Sequence, residues 1–130
     1  QVIDLSLLEP IFSIMGAEAA WHELTGELRE RTGSGSSTAA PRNVYKTKDG
    51  KWLAMSGSTQ PLAARIFNSV GRADMIDDPR FATNQARLDR REEIDEIIGG
   101  WIGERDRDEC LKVFREAGAT VDTQGSVPAG

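Results

Sequence analysis

Few residues in this 130-residue chain have a type and spacing that chemistry could use. His22, the single histidine, follows Trp21 and lies one helical turn from Glu18. The simplest reading is a surface or interface histidine. With one histidine, one cysteine and no Cys-x-x-Cys or His-x-x-x-His spacing, no metal site is expected. Asp77-Asp78 before Pro79 could form a coupled acid pair, in which one carboxyl holds its proton because its neighbour is charged. A solvated turn is the simpler alternative. Gly33-Ser34-Gly35-Ser36 can turn backbone N–H groups toward a substrate. It lacks the strand before and the helix after that a phosphate-binding loop requires. Lys46, Lys48 and Lys51 flank one short segment as a local positive patch, which could hold a small anion or simply be solvated. Cys110 stands alone beside Leu111, so no internal disulfide can form, and it reads as a small buried hydrophobe. No Gly-x-Ser-x-Gly elbow is present. The residues therefore offer no self-contained catalytic centre.

The elements that would position these groups are α+β: a mostly helical small domain with a small antiparallel sheet (β-hairpin 44–56) and a long leading helix. Ser6 and Glu9 have capping-box spacing, and Pro10 falls in the tolerant first turn. Leu8, Ile11, Phe12, Met15, Ala19 and Leu24 follow at three- and four-residue steps, which predicts one amphipathic helix. Gly16 within it costs about 1 kcal/mol against alanine. Residues 32–41 contain no large apolar group and predict a flexible loop or linker, or else a loop covering a ligand.

Val44 to Lys48, then Asp49-Gly50, then Lys51 to Ser56 predict a hairpin closed by a type I′ turn. A lone hairpin is marginal, so another strand or helices must cover one face. Pro61 opens a helix that Ser58 or Thr59 could cap, with Leu62, Ile66, Phe67 and Val70 as its stripe and Gly71 as its end. Asp77 to Phe81 is a turn anchored by Phe81. From Thr83 or Asn84 a longer helical region carries Leu88, Ile94, Ile97, Ile98, Trp101 and Ile102 inward, with Arg87, Arg90, Arg91, Glu92 and Glu93 facing water. Gly99-Gly100 weakens this helix or admits a close neighbour. Asp106 with Glu109 predicts a second capping box, and Gly118 stops the last helix. Thr120 to Gly130 holds one short strand and then a disordered tail.

The length fits one domain. A net charge of −5 disfavours nucleic acid. The longest apolar stretch, Ile11 to Trp21, is broken by Ser13, Gly16 and Glu18 and is too short for a bilayer, so no membrane role is expected. The absence of a signal peptide and of a second cysteine suits the cytoplasm. The chain opens mid-element at Gln1-Val2-Ile3-Asp4 without methionine, which reads as a cut from a larger protein.

Four motifs in order carry a family resemblance: Gln1 to Glu9; Tyr45 to Ala54; Asp78-Pro79-Arg80-Phe81 followed by Arg87 and Trp101; and Ala117 to Val121. This succession resembles the class III CoA-transferases, which include formyl-CoA transferase, carnitine CoA-transferase and α-methylacyl-CoA racemase, over residues 1–121. The resemblance implies a Rossmann-like large domain elsewhere in the protein and interlocked homodimers. It also implies an aspartate that forms acyl intermediates in transferases, or an acid–base pair in racemases, both upstream of Gln1. No catalytic residue is then expected in this chain, and Asp4 is structural.

The resemblance implies no cofactor, with coenzyme A as a substrate of the parent enzyme, and acyl-CoA and carboxylate partners bound through the large domain. A glycine-rich loop that covers the active site in formyl-CoA transferase-like members matches Gly33, Ser34, Gly35 and Ser36, which are the substrate-binding candidates. The family's Gly-Pro-Val-like continuation after Val121 is replaced by Asp122-Thr123-Gln124-Gly125-Ser126.

The expected organisation is a leading strand and helix over 1–31, a Gly/Ser-rich linker over 32–43, the small domain over 44–121 and a tail over 122–130. The expected function is that of a small-domain fragment, inactive alone, of a CoA-transferase. Two alternatives remain: a racemase-like fragment, and a non-enzymatic dimerisation module built on the leading helix.

Overall fold

A computed structural model of the protein describes residues 4–28 and 31–123. The expected strand at Val2–Leu5 falls mainly, and the tail after Thr123 wholly, outside the described residues. The chain forms two compact units, residues 1–31 and residues 32–130.

In the first unit the sequence predicts one long helix, and the structure has two short ones: α1 (Glu9–Met15) and α2 (Glu18–Thr25). The break is Gly16, which takes φ +57° and turns the chain out of the helix. Glycine reaches this region without a Cβ clash, so a residue tolerable inside a helix here ends one. The Ser6 hydroxyl accepts the Glu9 N–H at 3.2 Å, but the N-cap is Leu8, which makes no side-chain cap bond, so the expected capping box does not open the helix. Neither helix has a buried residue. Leu7, Ile14 and Leu24 are each more than four-fifths exposed.

The second unit holds a three-stranded antiparallel sheet in the order β1 (Arg42–Lys46), β2 (Trp52–Ser56), β3 (Thr120–Thr123). Val44 faces Ala54 across the hairpin, and Ala54 faces Asp122 across the second pair. β3 supplies the further strand that the hairpin needs.

The hairpin turn differs from the predicted type I′. Such a turn needs positive φ at both central residues. Here only Gly50 has it, at +76°, and no non-glycine residue among those described does. The Gly50 N–H donates to the Thr47 carbonyl at 2.9 Å, and the Thr47 N–H to the Lys51 carbonyl at 2.9 Å. This is a three-residue loop with glycine at its left-handed position, the next commonest solution.

Between β2 and β3 run α3 (Gln60–Ser69), α4 (Asp74–Asp77), α5 (Asn84–Leu88), α6 (Arg91–Gly103) and α7 (Arg107–Glu116). Pro61 lies in the first turn of α3, and Gly71 follows its end at φ +75°. Thr59 stands at the α3 N-cap without a side-chain bond to it, so the expected cap is not made. The predicted long helix from Thr83 is α5 and α6, separated at Asp89-Arg90. Thr83 caps α5, its hydroxyl accepting the Ala86 N–H at 3.1 Å. α6 runs unbroken through Gly99-Gly100. The Tyr45 ring lies 3.5 Å from where a Gly99 Cβ would stand, so the close approach is real.

One sheet face carries Tyr45, Leu53 and Met55 into the core, where α6 packs on β1 and α7 on β2 and β3. Ile66 and Phe67 from α3, Ile94, Ile98 and Ile102 from α6, and Phe114 from α7 complete the core with Phe81. Phe81 anchors its turn as expected, edge-on to Phe67 with ring centroids 6.4 Å apart.

The cap of α7 also departs from prediction. Asp106 makes no side-chain cap bond. The hairpin's Asp49 carboxylate instead accepts the Arg107 N–H at 3.2 Å. Asp49 further accepts the Thr47 hydroxyl at 2.6 Å and pairs with Lys51 at 2.9 Å. These donors hold its carboxyl far below the usual range, the Thr47 bond foremost.

Candidate functional site

Residues 32–41, expected as a flexible loop, are fastened along their length by polar residues from elsewhere. Gly33 turns the chain with φ +63°. Gly35 donates its N–H to the Thr32 carbonyl at 3.2 Å, and the Thr32 hydroxyl returns a bond to the Gly35 carbonyl at 2.8 Å. Ser36 donates its N–H to the Arg42 carbonyl at 3.1 Å, and its hydroxyl accepts the Thr38 and Ala39 N–H groups. The Arg91 guanidinium reaches the Ser36 carbonyl at 3.3 Å. Asn84 brackets the next stretch, donating to the Thr38 carbonyl at 2.9 Å and accepting the Ala40 N–H at 3.2 Å.

The strongest fastening is Arg87. The sequence places it on a water-facing stripe, yet the structure leaves it 1% exposed. Its Nε donates to the Ala40 carbonyl at 2.6 Å, and one terminal nitrogen donates to the Phe81 carbonyl at 3.0 Å and to the Gln60 side-chain oxygen. All of these acceptors are neutral. Burial accordingly pulls the Arg87 pKa below its ordinary value. Three backbone or amide oxygens would otherwise be left without donors, which is why a charge expected in water is buried here.

Ser34 joins the loop to the sheet. Its hydroxyl donates to Asn43 Oδ1 at 2.6 Å. Asn43 in turn donates through Nδ2 to Asp95 at 2.9 Å, and Tyr45 donates its phenol to the other Asp95 oxygen at 2.6 Å. Burial, then the Asp95 carboxylate, pushes the Tyr45 phenol well above its ordinary pKa. This chain of bonds runs from α6 through β1 to the loop, so the loop's position is set by the folded core.

Beside Ser34 lies an open groove of about 320 Å³ on the outer face of the sheet. Its walls include the outward side chains Arg42, Val44, Ala54, Ser56, Thr120 and Asp122. These alternate with the buried Tyr45, Leu53 and Met55, as a pleated sheet requires. Arg42 has no ion-pair partner among the described residues. Of the four predicted binding residues, Ser34 alone lines the groove. Gly33 and Gly35 shape the turn that presents it, and Ser36 turns inward to hold the following segment. Arg42 was not singled out from the sequence. The alternation of the hairpin, which puts Arg42 on the face opposite Tyr45, was the signal that could have found it.

The remaining candidates fall apart from this site. The Asp77-Asp78 acid pair is not formed: Asp78 accepts Arg80 Nε at 3.0 Å and its terminal nitrogen at 2.7 Å. Those bonds lower the Asp78 pKa, the reverse of what a shared proton would do. His22 is exposed and its Nδ1 lies 3.1 Å from the Glu27 carbonyl. Cys110 is buried, with its thiol pushed up to about 11 by that burial. Of the hairpin lysines, Lys51 is paired with Asp49 and Lys46 lies 6.0 Å over the Trp52 ring. Among the described residues no cluster of three or more His, Cys, Asp or Glu could hold a metal ion, and no helix is long and apolar enough to cross a membrane.

Comparison with known proteins places this geometry. The chain is 33% identical over 130 residues to the succinyl-CoA–D-citramalate CoA-transferase of Chloroflexus aurantiacus, covering 100% of this chain and 30% of that protein. It is 30% identical over 127 residues to the succinyl-CoA–L-malate CoA-transferase alpha subunit of Chloroflexus aurantiacus, covering 98% of this chain and 30% of that protein. The fold matches the crystal structure of a CAIB/BAIF family protein from Brucella suis with a TM-score of 0.75 at 21% identity, over 98% of this chain and 33% of that one. This chain thus spans about a third of the length of these relatives. The family model described as CoA-transferase family III matches residues 1–127, and the chain belongs to that family.

Proposed function

We propose that this chain is the small-domain part of an enzyme that moves coenzyme A between carboxylic acids, with a leading segment (1–31), a connecting segment (32–43), the small domain (44–121) and a tail. The family match over residues 1–127 carries this reading. The nucleophilic aspartate belongs to the other part of the protein, which makes mixed-anhydride and thioester intermediates by covalent carboxylate catalysis. This chain alone has no transfer activity. Coenzyme A enters as a substrate and no further cofactor takes part.

The relatives named above carry succinyl-CoA in their names together with citramalate or malate, which supports short dicarboxylic acids as substrates and favours transfer over racemisation. The loop of Gly33, Ser34, Gly35 and Ser36 borders the acyl group and presents Ser34 to it. The whole enzyme is a cytoplasmic homodimer. The exposed apolar residues of this segment, among them Leu7, Ile14 in α1 and Leu24 in α2, support its burial in that assembly.

The test is CoA transfer from succinyl-CoA to a second dicarboxylic acid, followed by chromatography of the thioesters. The complete protein that contains this sequence should transfer, and this chain alone should not. Transfer by this chain alone overturns the division of labour, and no transfer by the complete protein overturns the activity.

A further inference from the structure

The groove beside Ser34 has a polarity that narrows what it can hold. Arg42 stands at one end of the outer sheet face, opposite Ser56, which is in turn opposite Thr120. Asp122 stands on the far strand, opposite Ala54. Strands spaced about 4.8 Å apart put the Arg42 and Asp122 backbones about 10 Å or more from one another. The two charged groups therefore lie at opposite ends rather than neutralising each other in a pair. Among the described residues neither makes an ion pair; the Asp122 carboxylate accepts the adjacent Thr123 N–H at 2.7 Å and keeps further lone pairs free. Ser34, Ser56, Thr120 and Val44 also line the groove. A volume of about 320 Å³ suits a small organic molecule.

We infer that this groove binds a short monocarboxylate bearing a hydroxyl, its carboxylate on the Arg42 guanidinium and its hydroxyl donating toward Asp122. The charge balance favours this ligand over others. One cation and one anion make a groove with no net charge, which suits a single carboxylate and disfavours a phosphate dianion, since the second negative charge would lie near Asp122. The planar guanidinium fork matches a carboxylate in two parallel bonds. A donor at the Asp122 end satisfies an acceptor that a plain fatty acid would desolvate without compensation. A hydroxy diacid joined to CoA through one carboxyl keeps one free carboxylate and its hydroxyl, so the inference rests on the substrate reading above and names the residues that would select within it.

The test uses this chain and needs no turnover, so its outcome is separate from that of the transfer assay. Amide chemical shifts are followed while 3-hydroxybutyrate, butyrate or inorganic phosphate is added. Saturable shifts confined to Ser34, Arg42, Ser56, Thr120 and their neighbours are expected with 3-hydroxybutyrate, weaker ones with butyrate and none with phosphate. Arg42→Gln should abolish saturation with both acids. Asp122→Asn should remove the preference for the hydroxylated acid while leaving butyrate binding in place. Both positions face solvent, and an unchanged spectrum away from the groove verifies the fold of each variant. Scattered or unsaturable shifts, tighter binding of phosphate, or full binding by Arg42→Gln would each overturn the inference.

Discussion

Replacing Arg87 by methionine tests whether its bonds outweigh the cost of burying its charge. Methionine retains most of the apolar stem and removes the guanidinium. The Ala40 and Phe81 carbonyls and the Gln60 side-chain oxygen then lose their donor. Hydrogen bonds involving a charged group contribute about 1.5–3 kcal/mol each. Against them stands the desolvation of a guanidinium with only neutral acceptors, which costs several kcal/mol. The difference leaves Arg87→Met destabilised by about 3 kcal/mol, within the range expected when a buried polar network is broken. For a domain of this size each kcal/mol moves the melting temperature by about 4–8 °C, so a fall on the order of 12–24 °C is expected.

Urea unfolding followed by tryptophan fluorescence gives the free energy, and hydrogen exchange locates the loss. The amides of residues 36–40 should lose protection first, because Arg87 fastens that segment through the Ala40 carbonyl. Arg87→Lys keeps the charge but not the fork, and should fall between the wild type and Arg87→Met. An Arg87→Met protein as stable as the parent, or more so, would refute the reasoning. It would show that desolvation exceeds the bonds and that the arginine is kept for something other than stability.

Tyr45 is the only tyrosine, so its ionisation can be read by absorbance alone. Its folded pKa is raised, so its contribution to stability is present below the unfolded phenol's pKa and is lost as pH rises through the alkaline range. No tyrosinate should form before the protein unfolds in base; a reversible titration near pH 10 in the folded state would contradict the Asp95 bond. Asp49 has the opposite sign: its depressed folded pKa gives stability above the ordinary carboxylate range that is lost as pH falls through and below it. Asp49→Asn should flatten the acid limb of the stability curve, and an unchanged limb would assign that limb to other carboxylates such as Asp74 and Asp78. Cys110, buried with its pKa pushed up to about 11, should react with a thiol reagent at pH 8 only at the rate of unfolding; rapid labelling of the folded chain would disprove the burial. Gly57→Ala should cost about 1–3 kcal/mol, because the new methyl would stand 2.8 Å from Ile66 Cδ1 and 2.8 Å from Pro41 Cγ.

What was legible in the sequence was local. Asp49-Gly50 placed the hairpin because turn chemistry is decided within four residues, and Phe81 read as an anchor because a lone aromatic in a polar turn has nowhere else to go. Asp49 also misled, since its role as the α7 cap depends on a helix 58 residues further along the chain. Arg87 was read as solvated because its neighbours Arg90 and Arg91 are charged. Its burial depends on carbonyls at Ala40 and Phe81 that only the folded chain brings together. Gly16 shows a third kind of miss: the residue was noticed, but its cost was weighed against helix continuation and not against the left-handed turn it permits. At the candidate site, the loop's composition pointed to Ser34, while Arg42 and Asp122 share a groove only because β3 returns to pair with β2.

That return has a consequence for how the chain is made. Ser56 meets its partner Thr120 only after all five helices between them have been synthesised. Until then β2 has one bare edge, lined with unpaired N–H and C=O groups, beside the apolar Leu53 and Met55. Bare edges of this kind recruit strands from other molecules. A nascent or proteolysed chain that stops short of Thr120 would keep every core helix and still be prone to pair with its own copies. The last four described residues thus cover the β2 edge and form one wall of the groove, while β3 becomes the edge strand in its place.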